Sequence, residues 1–153
     1  MGDPSGLVAE FLAFYEHDAL THTTAFAGSA AVLAALAEAG HRLALCTNKP
    51  QAPTEAVLAT LGLAGHFRAV LGGDALPFHK PDPRHLLASI AAAGGRRDRA
   101  VLVGDSPIDA QAGQAAGVPV ILVRHGYSRQ PLEELGADAI IDDLTGLLAI
   151  LAP

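Results

Sequence analysis

The sequence predicts an α/β protein of three layers, with a parallel sheet between two layers of helices, and three observations carry this. Apolar segments alternate between helical and strand character along the chain, with short connections between them. The strand-like runs are apolar without alternation, as in strands covered on both faces. Glycine, or proline behind a capping residue, punctuates the helical runs. A parallel, doubly wound sheet with right-handed crossovers follows, and in such sheets ligands bind beyond the carboxyl ends of the strands.

The elements are read in chain order. Residues 7–20 form a helix with Leu7, Phe11, Phe14 and Tyr15 near one face, and residues 30–39 a second helix closed by Gly40. Residues 43–46 are a short strand that ends in Thr47-Asn48-Lys49-Pro50. A helix at 53–61 is stopped by Gly62, and a strand at Ala69–Leu71 ends in Gly72-Gly73-Asp74. Asp82 is an N-cap with Pro83 at the first helical position of a helix that reaches Ala93. Residues 100–103 form a strand, Pro107–Ala116 a helix stopped by Gly117, and 118–123 a strand. A last strand at Ala139–Ile141 precedes a helix at 144–151. The one boundary lies near Phe26-Ala27-Gly28, which separates residues 1–27 from a core at 28–153.

Composition narrows the function. The 153 residues fit one domain and a continuous core, and a half-hydrophobic composition excludes a disordered chain. A net charge of −6, with no basic stripe, argues against a nucleic-acid partner. No apolar run is long enough for a membrane helix, and the start MGDPSGLVAEF carries no secretory signal pattern. Cys46 is the single cysteine, so no internal disulfide forms; the expected location is the reducing cytoplasm. Seven histidines make no pair at zinc spacing.

Residues just past the strands form a coherent set. The first strand delivers Thr47 and Asn48; the loop before Pro83 carries Lys80; the strand at 100–103 delivers Asp105, with Asp109 on the next turn. A hydroxyl, an amide, an ammonium and two carboxylates suit a phosphate and an Mg²⁺ ion, which takes one or two carboxylates plus waters and substrate oxygens. All but Asp105 have a plainer explanation. Ser106-Pro107-Ile108-Asp109 is itself a helix start, so Asp109 alone reads as a capping residue. Thr47 and Asn48 fit an ordinary turn, Lys80 a solvated loop, Cys46 a small buried strand residue, and His79 and His85 a loop and a helix surface. Asp105 has no such local duty. The joint occurrence at successive strand ends outweighs the single alternatives. No Gly-x-Gly-x-x-Gly or Walker loop supports a dinucleotide or nucleoside triphosphate.

With these residues in place the chain resembles the haloacid dehalogenase superfamily of phosphohydrolases, and within it the phosphoglycolate phosphatase group. Thr47-Asn48-Lys49 after a strand matches the second family motif, Lys80 in His-Lys-Pro-Asp-Pro the third, and Gly104-Asp105-Ser106-Pro107-Ile108-Asp109 the fourth. Gly126-Tyr127-Ser128 and Pro131 to Asp138 also resemble that group. The resemblance, over about residues 7–151, implies Mg²⁺-dependent hydrolysis of a small phosphate monoester, 2-phosphoglycolate first. It implies that Thr47 and Asn48 bind the phosphoryl group and that Lys80 neutralises phosphate and nucleophile. Asp105 would hold Mg²⁺, and Asp109 would hold it directly or through water. Residues 1–27 would be the remnant of a helical cap.

The family's first motif, an apolar strand ending Asp-x-Asp-Gly-Thr, has no match in the sequence. In the family its first Asp is the nucleophile and its second the general acid/base, so the chain is expected to be inactive alone. In the family that strand also stands between those ending at Thr47 and Asp105. Three remedies are expected for the slot. The flanking strands close up and pair; a second copy or another polypeptide donates a strand; or the chain is part of a longer protein. The alternative function is a non-catalytic phosphate- or metal-binding module that completes a partner. A phospho-receiver domain ranks lower, because its acidic pair comes first and its Thr and Lys later.

Overall fold

A computed structural model describes residues 22–124 and 128–151. The helix expected at 7–20, and with it nearly all of the expected cap remnant, lies outside the described residues, as do Gly126 and Tyr127. The described elements follow the predicted rhythm: α1 (Ser29–Glu38), β1 (Ala44–Cys46), α2 (Gln51–Thr60), β2 (Ala69–Leu71), α3 (Pro83–Ala92), β3 (Leu102–Gly104), α4 (Pro107–Ala116), β4 (Val120–Val123), β5 (Ala139–Ile141) and α5 (Gly146–Leu151). Helix α2 starts two residues before the sequence suggested. Its cap comes from far along the chain, since the Gln51 N–H donates to Asp74 Oδ1 at 2.7 Å.

Strand β4 shows why the apolar runs do not alternate. Ile121 and Val123 pack with Val32 and Leu36 of α1, Ile141 and Leu147 on one face. Val120 and Leu122 pack with Ala110 of α4 and Leu132 on the other. Both faces are covered, and all four residues are buried. A third cluster joins Leu86 of α3, Leu102 of β3 and Ala112 and Ala116 of α4. Helices α1 and α5 thus form one outer layer and α3 and α4 the other.

The strands form two parallel groups rather than one sheet. β1 pairs with β2 in register Ala44↔Ala69 through Cys46↔Leu71. β3 pairs with β4, and β4 with β5. Of the three remedies, the closing up of β1 and β3 on each other is not met: no ladder joins them among the described residues. Their edges are nevertheless held in one block. Leu43, Val101 and Val103 all pack against the α1 cluster, and Cys46 packs against the Leu86–Leu102 cluster on the opposite side. The chain runs β1 to β2 one way and, after crossing over through α3, β3 to β5 the other. The gap between β1 and β3 is therefore the topological switch point.

Candidate active site

The carboxyl ends of β1 and β3 bring the five predicted residues to one edge. Thr47 follows β1 directly and its N–H donates to the Leu71 carbonyl at 3.1 Å, which extends the ladder to β2. Its Oγ1 accepts the Lys49 N–H at 3.1 Å and closes the turn expected there. Asn48 reaches across: its Nδ2 donates to the Lys80 carbonyl at 2.8 Å and ties the β1 loop to the strap before α3. Gly72 and Gly73 let the β2 loop come close. A Cβ on Gly73 would collide with the Asn48 backbone, and one on Gly72 with that of Gln51.

Lys80 is not a solvated loop residue. It is 9% exposed, and its Nζ donates to Asp109 Oδ1 at 2.6 Å. Asp109 is 5% exposed and does two jobs at once. Its Oδ2 accepts the Ser106 Oγ–H at 2.7 Å and the backbone N–H groups of Asp105 and Ser106 at 3.1 and 3.2 Å. Its own N–H donates to Ser106 Oγ, which completes the capping box of α4. Burial pushes the Asp109 carboxyl up, but the Lys80 ammonium and the Ser106 and Asp105 donors outweigh it and hold it below the usual carboxylate range. Gly104 makes this possible, because a Cβ there would run into the Asp109 side chain.

Asp105 stands in the opposite condition. No side chain hydrogen-bonds its carboxylate among the described residues. Partial burial and the neighbouring Asp109 charge raise its pKa, against a weaker pull from Lys80. A pair of acidic oxygens from adjacent turns, one carboxylate lacking a side-chain partner, is hard-donor chemistry that suits Mg²⁺. The described residues contain no cluster of three or more His, Cys, Asp or Glu that could hold a metal ion.

One residue beneath the site was misplaced by the sequence reading. His85 is fully buried rather than on a helix surface. Its Nε2 lies 3.1 Å from the Gly72 carbonyl, which can only accept, so Nε2 carries the proton. Nδ1 is left as an acceptor for the Cys46 thiol, 3.6 Å away. Burial lowers the His85 pKa and raises that of Cys46. The signal for His85 was its position: it shares a buried α3 face with Leu86 and Ser89.

No helix among the described residues is long and apolar enough to cross a membrane. Comparison with known proteins places this arrangement. The chain is 47% identical over 140 residues to a phosphoglycolate phosphatase of Rhodospirillum rubrum, covering 92% of this chain and 58% of that protein. It is 43% identical over 135 residues to the phosphoglycolate phosphatase of Caulobacter vibrioides, covering 88% of this chain and 57% of the relative. The chain thus spans less than two thirds of the length of these relatives. Among solved structures, a predicted phosphoglycolate phosphatase from Haemophilus somnus superposes with a TM-score of 0.84 at 31% identity, over 90% of this chain and 62% of that one. The haloacid dehalogenase-like hydrolase family matches residues 3–123, and the chain belongs to that family.

Proposed function

We propose that this chain is the phosphate- and Mg²⁺-holding part of a phosphatase for small phosphate monoesters, with 2-phosphoglycolate the first substrate. The observation that carries the reading is the convergence of Thr47, Asn48, Lys80, Asp105 and Asp109 on one strand edge, with a buried lysine whose ammonium faces that edge. The Thr47 hydroxyl and the Asn48 amide donate to phosphate oxygens. Lys80 supplies the countercharge, and Asp109 fixes its position. Asp105 and Asp109 are the residues that would hold Mg²⁺. The ion, when bound, adds positive charge against the phosphate and the developing charge of the leaving group. The names of the relatives support the substrate. The single cysteine supports a reducing, cytoplasmic setting.

The chain alone is proposed to be inactive, because no carboxylate in it matches the family's nucleophile. A phosphate-release assay with Mg²⁺ and 2-phosphoglycolate tests this, with Asp105→Asn beside it to expose contaminating phosphatase. The expected result is no turnover above that variant. Turnover that Asp105→Asn abolishes would mean that some carboxylate of this chain, or of a second copy, serves as the nucleophile. The divided sheet favours a second reading, a binding module that completes a partner. Its sign is an Mg²⁺-dependent gain in thermal stability without turnover.

A further inference from the structure

We infer that His85 is a positioning residue for the phosphate-holding turn: its buried ring fixes where Thr47 and Asn48 stand relative to Lys80. The inference rests on the phosphate-holding reading for the use of that turn, and on hydrogen bonds for how it is held. The loops after β1 and β2 are locked to each other. The Gly73 N–H donates to the Lys49 carbonyl at 2.8 Å, and the Gly72 N–H to Gln51 Oε1 at 2.5 Å. Gly73 lies so close to the Asn48 backbone that no Cβ fits between them. These contacts make the two loops move as one. They leave open where the pair stands relative to Lys80, which comes from the strap before α3. Two side chains set that. Asn48 Nδ2 donates to the Lys80 carbonyl at 2.8 Å. His85, on α3, reaches the ends of both strands: its Nε2 donates to the Gly72 carbonyl at 3.1 Å, and its Nδ1 lies 3.6 Å from the thiol of Cys46, the residue before Thr47. The strap itself is stiffened by the Asp82 N–H on the His79 carbonyl at 2.9 Å and the His85 N–H on the Asp82 carbonyl at 3.2 Å. The contacts close a circuit from His85 through Gly72, Gly73, Asn48 and Lys80 back to α3.

The chemistry of the side chain agrees. His85 shares the buried face of α3 with Leu86 and Ser89 and is fully buried itself. A leucine would fill that place without the cost of taking a polar ring out of water. What the imidazole adds is direction, because one nitrogen donates and the other accepts. Burial keeps the ring neutral, so Nδ1 stays an acceptor. The Asn48 amide has two N–H groups. One is on the Lys80 carbonyl, and the other is left for a phosphate oxygen, in a direction that follows from the first. A shift of the β1 and β2 loops against α3 would turn that group, and the Thr47 hydroxyl with it, away from the Lys80 ammonium. A site of this kind is lost when the shell that supports it loosens.

The test compares the full chain with two variants. His85→Leu keeps the bulk and removes both ring contacts; the amide of His85→Gln can donate to the Gly72 carbonyl again. Amide exchange reads the turn, and calorimetric titration of inorganic phosphate with Mg²⁺ reads its use. In His85→Leu, exchange is expected to speed up at least about tenfold more at Gly73 than in β4. Phosphate is expected to bind about tenfold more weakly, as for the loss of one hydrogen bond. His85→Gln is expected to recover Gly73 protection and phosphate binding to within about threefold of the parent chain. Equal acceleration at Gly73 and in β4 would show a histidine that only stabilises the fold and would overturn the inference. So would unchanged Gly73 exchange in His85→Leu, or a His85→Gln variant that recovers nothing. If the parent chain binds no phosphate, the phosphate-holding reading falls, and Gly73 exchange still decides whether His85 fixes the turn. Should His85→Leu not fold, nitrogen-15 spectra of the parent chain decide: a neutral ring with its proton held on Nε2 supports the inference, and a proton on Nδ1 overturns it.

Discussion

Lys80 and Asp109 form a buried ion pair, and their surroundings determine what each is worth. Taking two charges out of water is costly, and the pair is tolerated because the Asp109 carboxylate is also hydrogen-bonded by Ser106 and by the Asp105 N–H. Removing the cation leaves a buried, unpaired carboxylate. Lys80→Ala is therefore expected to destabilise the fold by about 3–5 kcal/mol, read as a lower urea midpoint at pH 7. A loss below about 1 kcal/mol, the range of exposed pairs, would mean that water reaches Asp109 freely. Contrast Arg96 and Asp98, an exposed pair at 2.6 Å whose contact stabilises little.

Among the elements, α4 shows most clearly how local sequence and site are joined. Ser106, Pro107 and Asp109 announce its start, and the structure supplies the capping box those residues imply. The capping carboxylate sits against Gly104, the last residue of β3, with no room for a side chain between them. Gly104→Ala is expected to push Asp109 away and so weaken both the cap and the Lys80 contact. The expected cost is about 2–3 kcal/mol, with loss of the Lys80 contact seen in a crystal structure of the variant. A neutral effect would mean that β3 shifts freely against α4. Much of this element was legible from the sequence because caps, prolines and apolar runs act over a few residues. What was not legible acts over distance. His85 reads as a surface residue until α3 is laid over the ends of β1 and β2. The Asp74 cap on α2 and the glycine contacts of the β2 loop likewise depend on which loops meet. The five candidate residues could be grouped from the sequence because strand ends in a parallel sheet share an edge, whatever the order of the strands.

For the molecule as a whole, acid sensitivity follows from groups held in one protonation state. His85 is neutral in the fold and its pKa is lowered by burial from the ordinary 6.5. The unfolded chain then binds a proton that the folded chain does not, so stability is lost as pH falls from about 6.5 through the folded pKa. Asp109, also lowered, has the same sign but acts near and below the ordinary carboxylate range. Asp105, raised, acts in the opposite direction above that range. The urea midpoint is expected to fall between pH 7 and pH 5, and His85→Gln to flatten that limb. An unchanged slope in the variant would assign the effect to other histidines.

Strands β1 and β2 share no ladder with β3, β4 and β5 among the described residues, so side-chain packing and not backbone hydrogen bonding joins the two groups. The amides of β1 and β2 are then expected to exchange faster than those of β4, which lies between two strands and is buried along its whole length.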